Sequence, residues 1–321
     1  MGKFVRQLLP FGSLVLIICI LSALRPDTFL TADNFLNVLR RSSVYGIVAI
    51  GMTFVIISAG IDLSVGSMLA LAGMVGAAVM AAMGQANPQA GTFVTGTIAG
   101  VIIGALCGLG NGLLITTLNL QPFIATLGTM SLFRGIALVM NRGQPINVSE
   151  YTYLGEGILL DVPVSVIIFA AVTAVAAFIL RYMKLGRYTY AIGSNREAAF
   201  HAGVNVKFNL VCIYTLIGLL TGIAAMIQVS RTVSAQPTAG LGAELDIIAA
   251  VVIGGASLSG GQGTITGTII GTLLISFLRN GCTLLGISTD AQFIVIGIII
   301  VLAVAVDQLA RARAKTSEKI V

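Results

Sequence analysis

The chain has 321 residues, 57% hydrophobic and 9% charged, with 18 Lys and Arg against 12 Asp and Glu for a formal net charge of +6. A soluble domain carries about 25% charged residues, so the composition excludes a water-covered globular fold and specifies an all-α, polytopic integral membrane protein, one transmembrane domain over residues 1–321. The basic excess lies mostly at the termini and in one polar loop, which is a topological signal rather than nucleic-acid affinity.

Ten apolar segments of spanning or partly spanning length follow one another, at approximately 8–24, 44–61, 63–83, 93–118, 122–140, 162–181, 208–229, 245–257, 264–285 and 291–309. The first, preceded by Lys3 and Arg6, is expected to be a retained helix, because Ser22-Ala23-Leu24 makes a poor signal-cleavage site. Thr31–Arg41 reads as a short amphipathic helix in the interface, where Arg40 and Arg41 snorkel. Asp62 lies between segments two and three, where it either caps the third helix or belongs to a polar path. The charge-free GQANPQAG separates segments three and four. The fourth places Gly96, Gly100, Gly104, Gly108 and Gly112 at four-residue spacing, a ridge suited to close helix packing and expected to pack within the chain rather than between copies. Pro122 opens the fifth segment as a first-turn residue.

Basic residues set the orientation. Lys3 and Arg6 place the N-terminus in the cytoplasm, and Arg311, Arg313, Lys315 and Lys319 in the tail 310–321 place the C-terminus there too. The loop 182–207, with Lys184, Arg187, Arg196 and Lys207 against Glu197, falls on the same side. The loop 141–161, where Glu150, Glu156 and Asp161 outnumber Arg142, falls outside. The eighth segment is too short to span and ends in glycines, so a re-entrant or broken helix is expected there, with Asp246 at its start. IISAGIDLSVGS (56–67) and VIGGASLSGGQG (252–263) echo each other as apolar helix, small-residue turn, apolar helix, the pattern of an internal repeat whose copies point the same way in this count. Asn111 and Asn280, set among apolar helices, suit hydrogen bonds to a polyhydroxyl substrate and bonds between helices equally well.

Catalytic constellations fail on inspection. Leu258–Gln262 spells LSGGQ, the signature of ATP-binding-cassette ATPases, but no GxxxxGK[ST] loop exists to cradle phosphates, so the chain itself is not expected to hydrolyse ATP. His201 is the single histidine. Cys19, Cys107, Cys212 and Cys282 sit in apolar runs without paired spacing, so neither a metal site, a cofactor site nor a disulfide framework is indicated.

Glu197-Ala198-Ala199 followed by three residues and Gly203 fits the EAA pattern of permease subunits in bacterial ATP-binding-cassette importers. GMTFVIISAGIDLSVGSMLAL (51–71), KLGRYTYAIGSNREAAFHAGVNV (184–206) and SAQPTAGLGAELDIIAAVVIGGASLSGGQGTITGTIIG (234–271) resemble the ribose-type branch of sugar-import permeases, over about Phe29 to Asp307. The resemblance implies a homodimer in the bacterial inner membrane carrying ribose or a related monosaccharide, with a cytoplasmic ATPase below and a periplasmic sugar-binding protein above. Arg196, Glu197, Ala198, Ala199 and Gly203 would then dock on the ATPase as a coupling helix, with Gly193 and Gly203 as flexible joints. Glu150, Glu156 and Asp161 become candidates for contact with the binding protein. Asp62, Asn111, Asp246 and Asn280 are the candidates for the translocation path. The alternative from another class is an ion-coupled secondary carrier, with Asp62 and Asp246 as the coupling acids.

Overall fold

The structure, a computed structural model, describes residues 3–84, 90–299 and 301. Helix α1 (Lys3–Leu24) passes through a single turn, α2 (Pro26–Phe29), into α3 (Ala32–Ile57). There follow α4 (Val65–Gly84), α5 (Ala90–Thr117), α6 (Pro122–Met140), α7 (Tyr153–Glu156), α8 (Val164–Tyr182), α9 (Lys184–Ser194), α10 (Arg196–His201), α11 (Val206–Thr232), α12 (Ala243–Ile253) and α13 (Ile265–Leu284). An apolar helix at Thr289–Ile299, α14, comes last among the described residues. Among the described residues four two-residue strands, β1 (Ile146–Asn147), β2 (Ile158–Leu159), β3 (Val162–Pro163) and β4 (Ser234–Ala235), make two small ladders, β1 with β4 and β2 with β3. The fold is all-α. Among the described residues seven helices are long and apolar enough to cross a membrane, and Phe11–Leu24, α12 and α14 supply the shorter members of the expected ten. Most of GQANPQAG and the basic tail 310–321 lie outside the described residues.

One expected element is corrected. Thr31–Arg41 is not a separate interfacial helix but the first part of α3, which runs unbroken for 26 residues, about 39 Å at 1.5 Å per residue. No Gly or Pro interrupts it before Gly46, and Thr31 caps it by accepting a hydrogen bond from the Asn34 amide at 3.3 Å. Arg40 reaches across to Glu156 at 3.7 Å instead of snorkelling alone.

The core is built on α3 and α11, buried along most of their lengths. Glycine sets how closely α5 approaches α11: a methyl at Gly104 or Gly108 would overlap the backbone of Gly218, and one at Gly112 would sit 2.9 Å from the Val211 Cα. The glycine ridge of α5 therefore packs within the chain. Without hydrophobic drive between helices in lipid, this close backbone contact supplies the dispersion that holds them. Met226 fills the remaining space between Gly76 of α4 and Gly100 of α5.

The eighth segment is broken as expected. Helix α12 has 11 residues, about 16 Å, too short for a hydrocarbon core of about 30 Å. Glycines in left-handed conformation, Gly240 (φ 67°) and Gly242 (φ 76°), turn the chain into it. The backbone that this irregular stretch leaves unpaired is satisfied from α6, where the Arg134 guanidinium donates to the carbonyls of Pro237 at 2.7 Å and Ala239 at 2.8 Å. Helices α3 and α13 run antiparallel: Asn34 and Asn280 pair at one end of the bundle, and Thr53 and Thr268 share a 2.6 Å hydrogen bond towards the other.

Candidate functional site

The end of the bundle opposite the Asn34–Asn280 pair carries α9 and α10. Asn195 joins them: its amide donates to the Ala191 carbonyl to close α9, and its Oδ1 accepts from the Ala198 amide at 2.9 Å to open α10. Glu197 sits in the first turn, where a negative charge favours the positive end of the helix dipole. Gly203, at φ 82°, ends the helix by donating to the Phe200 carbonyl, and Val204 donates to Ala199. The Glu197…Gly203 pattern is thus a six-residue helix capped at both ends. Ala199 is its buried peg, while Arg196, Glu197, Ala198, Phe200, His201 and Gly203 are exposed. Phe200, 66% exposed and packed edge-on to His201, is a surface residue that the EAA pattern passes over. Its signal was available: an aromatic ring three positions after Glu197 in an otherwise polar loop.

Gly193 is not a flexible joint. It is the penultimate residue of α9, and a methyl there would overlap the Ile57 carbonyl oxygen at the end of α3 and lie 2.7 Å from the Gly261 amide nitrogen. The LSGGQ letters form the turn between α12 and α13, with Gly260 and Gly261 at φ 81° and 72°. The Gly261 amide donates to Ile57 at 2.8 Å, and the Tyr190 hydroxyl donates to the Gly263 carbonyl at 2.7 Å. Burial pushes the Tyr190 phenol above its usual range, which keeps it a proton donor there.

The four candidate path residues separate into two groups. Asp62 is fully buried in the turn between α3 and α4 and accepts from the Ser64 amide at 2.8 Å, the Ser64 hydroxyl at 2.6 Å and Asn111 Nδ2 at 3.3 Å. Asn111 Nδ2 also donates to the Ser64 hydroxyl at 2.8 Å, while its buried Oδ1 has no partner among the described residues. The Tyr214 hydroxyl and Thr126 hold the adjoining Ile61 carbonyl and Leu63 amide. Asp62 therefore folds its own turn, as an Asx cap bridged to α5. Asp246 belongs to the other half of the bundle, where the Arg279 Nε donates to it at 2.7 Å beside Arg41 and Tyr45. Asn280, next to Arg279, spends its amide on Asn34 in a reciprocal pair of 2.7 and 3.2 Å. Of the two roles left open for the asparagines, both make bonds between elements of the bundle.

The loop 141–161 folds over the far end of α11. A methyl at Gly155 of α7 would overlap the Arg231 backbone, and the Gly155 amide donates to the Ser230 hydroxyl at 2.9 Å. Glu150, Glu156 and Asp161 are all exposed here, Glu156 facing Arg40 as described. Among the clefts between the described residues, one is lined by Arg41, Tyr45, Asp246 and Arg279 and another by Gln228, Thr232, Ser234 and Gln236, each with room of about 20 Å³, a single water.

The family described as branched-chain amino acid transport system / permease component matches residues 34–304. The ribose import permease protein of Haemophilus influenzae is 43% identical over 95% of this chain and 94% of its own length. The ribose import permease protein of Bacillus subtilis is 46% identical over 94% and 93%, and the D-allose transport system permease protein of Escherichia coli is 38% identical over 93% and 90%. No solved structure matches. The chain belongs to this permease family, and it is a multi-pass transport component rather than an enzyme. The comparisons support an importer permease and set aside the ion-coupled carrier that Asp62 and Asp246 had suggested.

Proposed function

We propose, from that membership, that the chain is the permease of an ATP-driven importer in the bacterial inner membrane, moving a small monosaccharide with ribose as the first candidate. The observation that carries the reading is α10: a rigid helix, capped at both ends and pegged by Ala199, that presents Arg196, Glu197, Ala198 and Phe200 outward. A separate cytoplasmic ATPase docks on that face, and its closure moves α10 as a lever. The names of the relatives at 43% and 46% identity favour ribose over the amino acids in the family's description.

Two copies form the sugar path between them. Neither of the two clefts named above admits a pyranose ring, so this reading places the path between copies rather than in either of them. Both termini and α10 face the cytoplasm, and the surface bearing Glu150, Glu156 and Asp161 faces a periplasmic sugar-binding protein. In this arrangement Asp62 and Asn111 shape the helix break beside the path, while Asp246 and Asn280 brace its opposite end.

Reconstitution of the permease with its ATPase and binding protein tests the reading, with ribose, allose and galactose offered in turn. Glu197→Lys or Gly203→Lys should lower ATP-dependent uptake by about tenfold or more and weaken ATPase copurification, while membrane insertion stays intact. Uptake that persists without ATP and collapses with an ionophore would end it.

A further inference from the structure

Three turns, far apart in the chain, meet at one point beneath α10. The end of α9 contributes Tyr190, Gly193 and Ser194, the turn after α3 contributes Ile57 and Ala59, and the α12–α13 turn contributes Gly260, Gly261 and Gly263. Gly193 and Gly260 meet backbone, and Gly261 and Gly263 pack on the side chains of Ser194 and Ile57. Gly260 has room for no side chain, because a methyl there would lie 2.6 Å from the Gly193 carbonyl oxygen and 2.7 Å from the Ala59 Cβ. A methyl at Gly261 would lie 2.7 Å from the Ser194 hydroxyl, and one at Gly263 would lie 2.8 Å from Ile57. Two hydrogen bonds pin the meeting point, Gly261 to Ile57 at 2.8 Å and Tyr190 to Gly263 at 2.7 Å. Gly193 and Ser194 immediately precede Asn195, the residue that caps α10, so no slack chain separates α10 from this point.

We infer that Tyr190, Gly193 and Gly261 are positioning residues that seat α10 on both broken elements of the bundle at once, so that a displacement of α10 reaches them undiminished. The inference rests on the reading of α10 as the helix that receives force from the ATPase. Where backbone meets backbone, at Gly193 and Gly260, no rotamer is there to absorb a movement, and packed contacts of this kind transmit strain. From the joint, one route runs through the α12–α13 turn into α12. The other runs through the turn after α3 to Asp62 and Ser64 and then to Gly66, which touches Gly240 of the irregular stretch leading into α12 from its other end. Helix α12 is therefore held at both ends by elements that begin at this joint. The LSGGQ letters owe their glycines to that close approach, not to a nucleotide.

The test uses the complete transporter in proteoliposomes, reading sugar imported per ATP hydrolysed alongside ATPase copurification. Tyr190→Phe removes one hydrogen bond and no bulk, and Gly193→Ala drives a methyl onto Ile57. The expected result is a fall in sugar per ATP of about threefold for the first and about tenfold or more for the second, with copurification and basal ATP hydrolysis unchanged. Gly135→Ala on α6, where no described atom lies within 4 Å of the added methyl, should keep the wild-type ratio. A wild-type ratio in Tyr190→Phe and in folded Gly193→Ala would overturn the inference, as would uptake and copurification falling in parallel. Should Gly193→Ala fail to assemble, Tyr190→Phe alone decides. ATP-independent uptake by the unaltered transporter would instead sink the coupling reading itself, so the two failures are distinct.

Discussion

The turns at 58–64 and 254–264 look like copies of one another in the sequence, and the structure gives them opposite construction. The second is a hairpin: α12 folds directly back on α13, Gly254 lies against Gly267, and glycines at φ 93°, 81° and 72° carry the reversal. The first is splayed. Its flanking helices α3 and α4 both pack on α11, and the turn is held by the side chain of Asp62 rather than by glycine freedom. The non-glycine residue Ala59 takes the left-handed position at φ 62°. Small residues therefore permit a helix break in both places, but polar bonding shapes one and backbone approach shapes the other.

The largest test of that contrast is removal of the acid. Asp62→Ala leaves the Ser64 amide and Asn111 Nδ2 short of an acceptor in a buried site, and should cost about 2–4 kcal/mol, read as a lower thermal midpoint in detergent. Asp62→Asn keeps an acceptor and should recover most of the loss. If the asparagine variant is as unstable as the alanine one, the turn needs the acid for more than its hydrogen bonds. A smaller loss is expected in the other turn. Gly260→Ala adds both a strained φ and a collision with Gly193 and Ala59, and should cost about 1–3 kcal/mol by the same measurement. The smallest effect has the opposite sign: Ala59→Gly relieves a left-handed alanine and should raise stability by up to about 1 kcal/mol. A destabilised Ala59→Gly would mean that the Ala59 methyl packing against Gly260 matters more than its backbone strain.

The legible parts of the candidate site were local. Asn195, Glu197 and Gly203 lie within nine residues of one another, so cap, first-turn acid and terminating glycine can be read without knowing the rest of the chain. The same holds for the short α12, bounded by glycines on both sides. The misread parts depended on partners distant in the chain. Arg40 reads as interfacial because the sequence does not place Glu156 beside it, and Gly193 reads as a joint because glycine without context suggests freedom. Phe200 went unremarked because exposure is a property of the folded surface.

The sequence by itself determined a membrane-embedded all-α bundle of ten apolar segments, because 9% charged residues cannot clothe a water-facing surface. It also determined where the eighth segment breaks, since glycine acts through its immediate neighbours, and its resemblance to the permeases pointed to the loop that holds the short helix. Tertiary structure alone decided that Asp62 meets Asn111, 49 positions away, that Asp246 is answered by Arg279, and that Gly193 is wedged between Ile57 and Gly261. In a chain so uniformly apolar, hydrophobicity cannot choose which face meets which, and the choice falls to small residues and a few hydrogen bonds whose partners only the fold brings within reach.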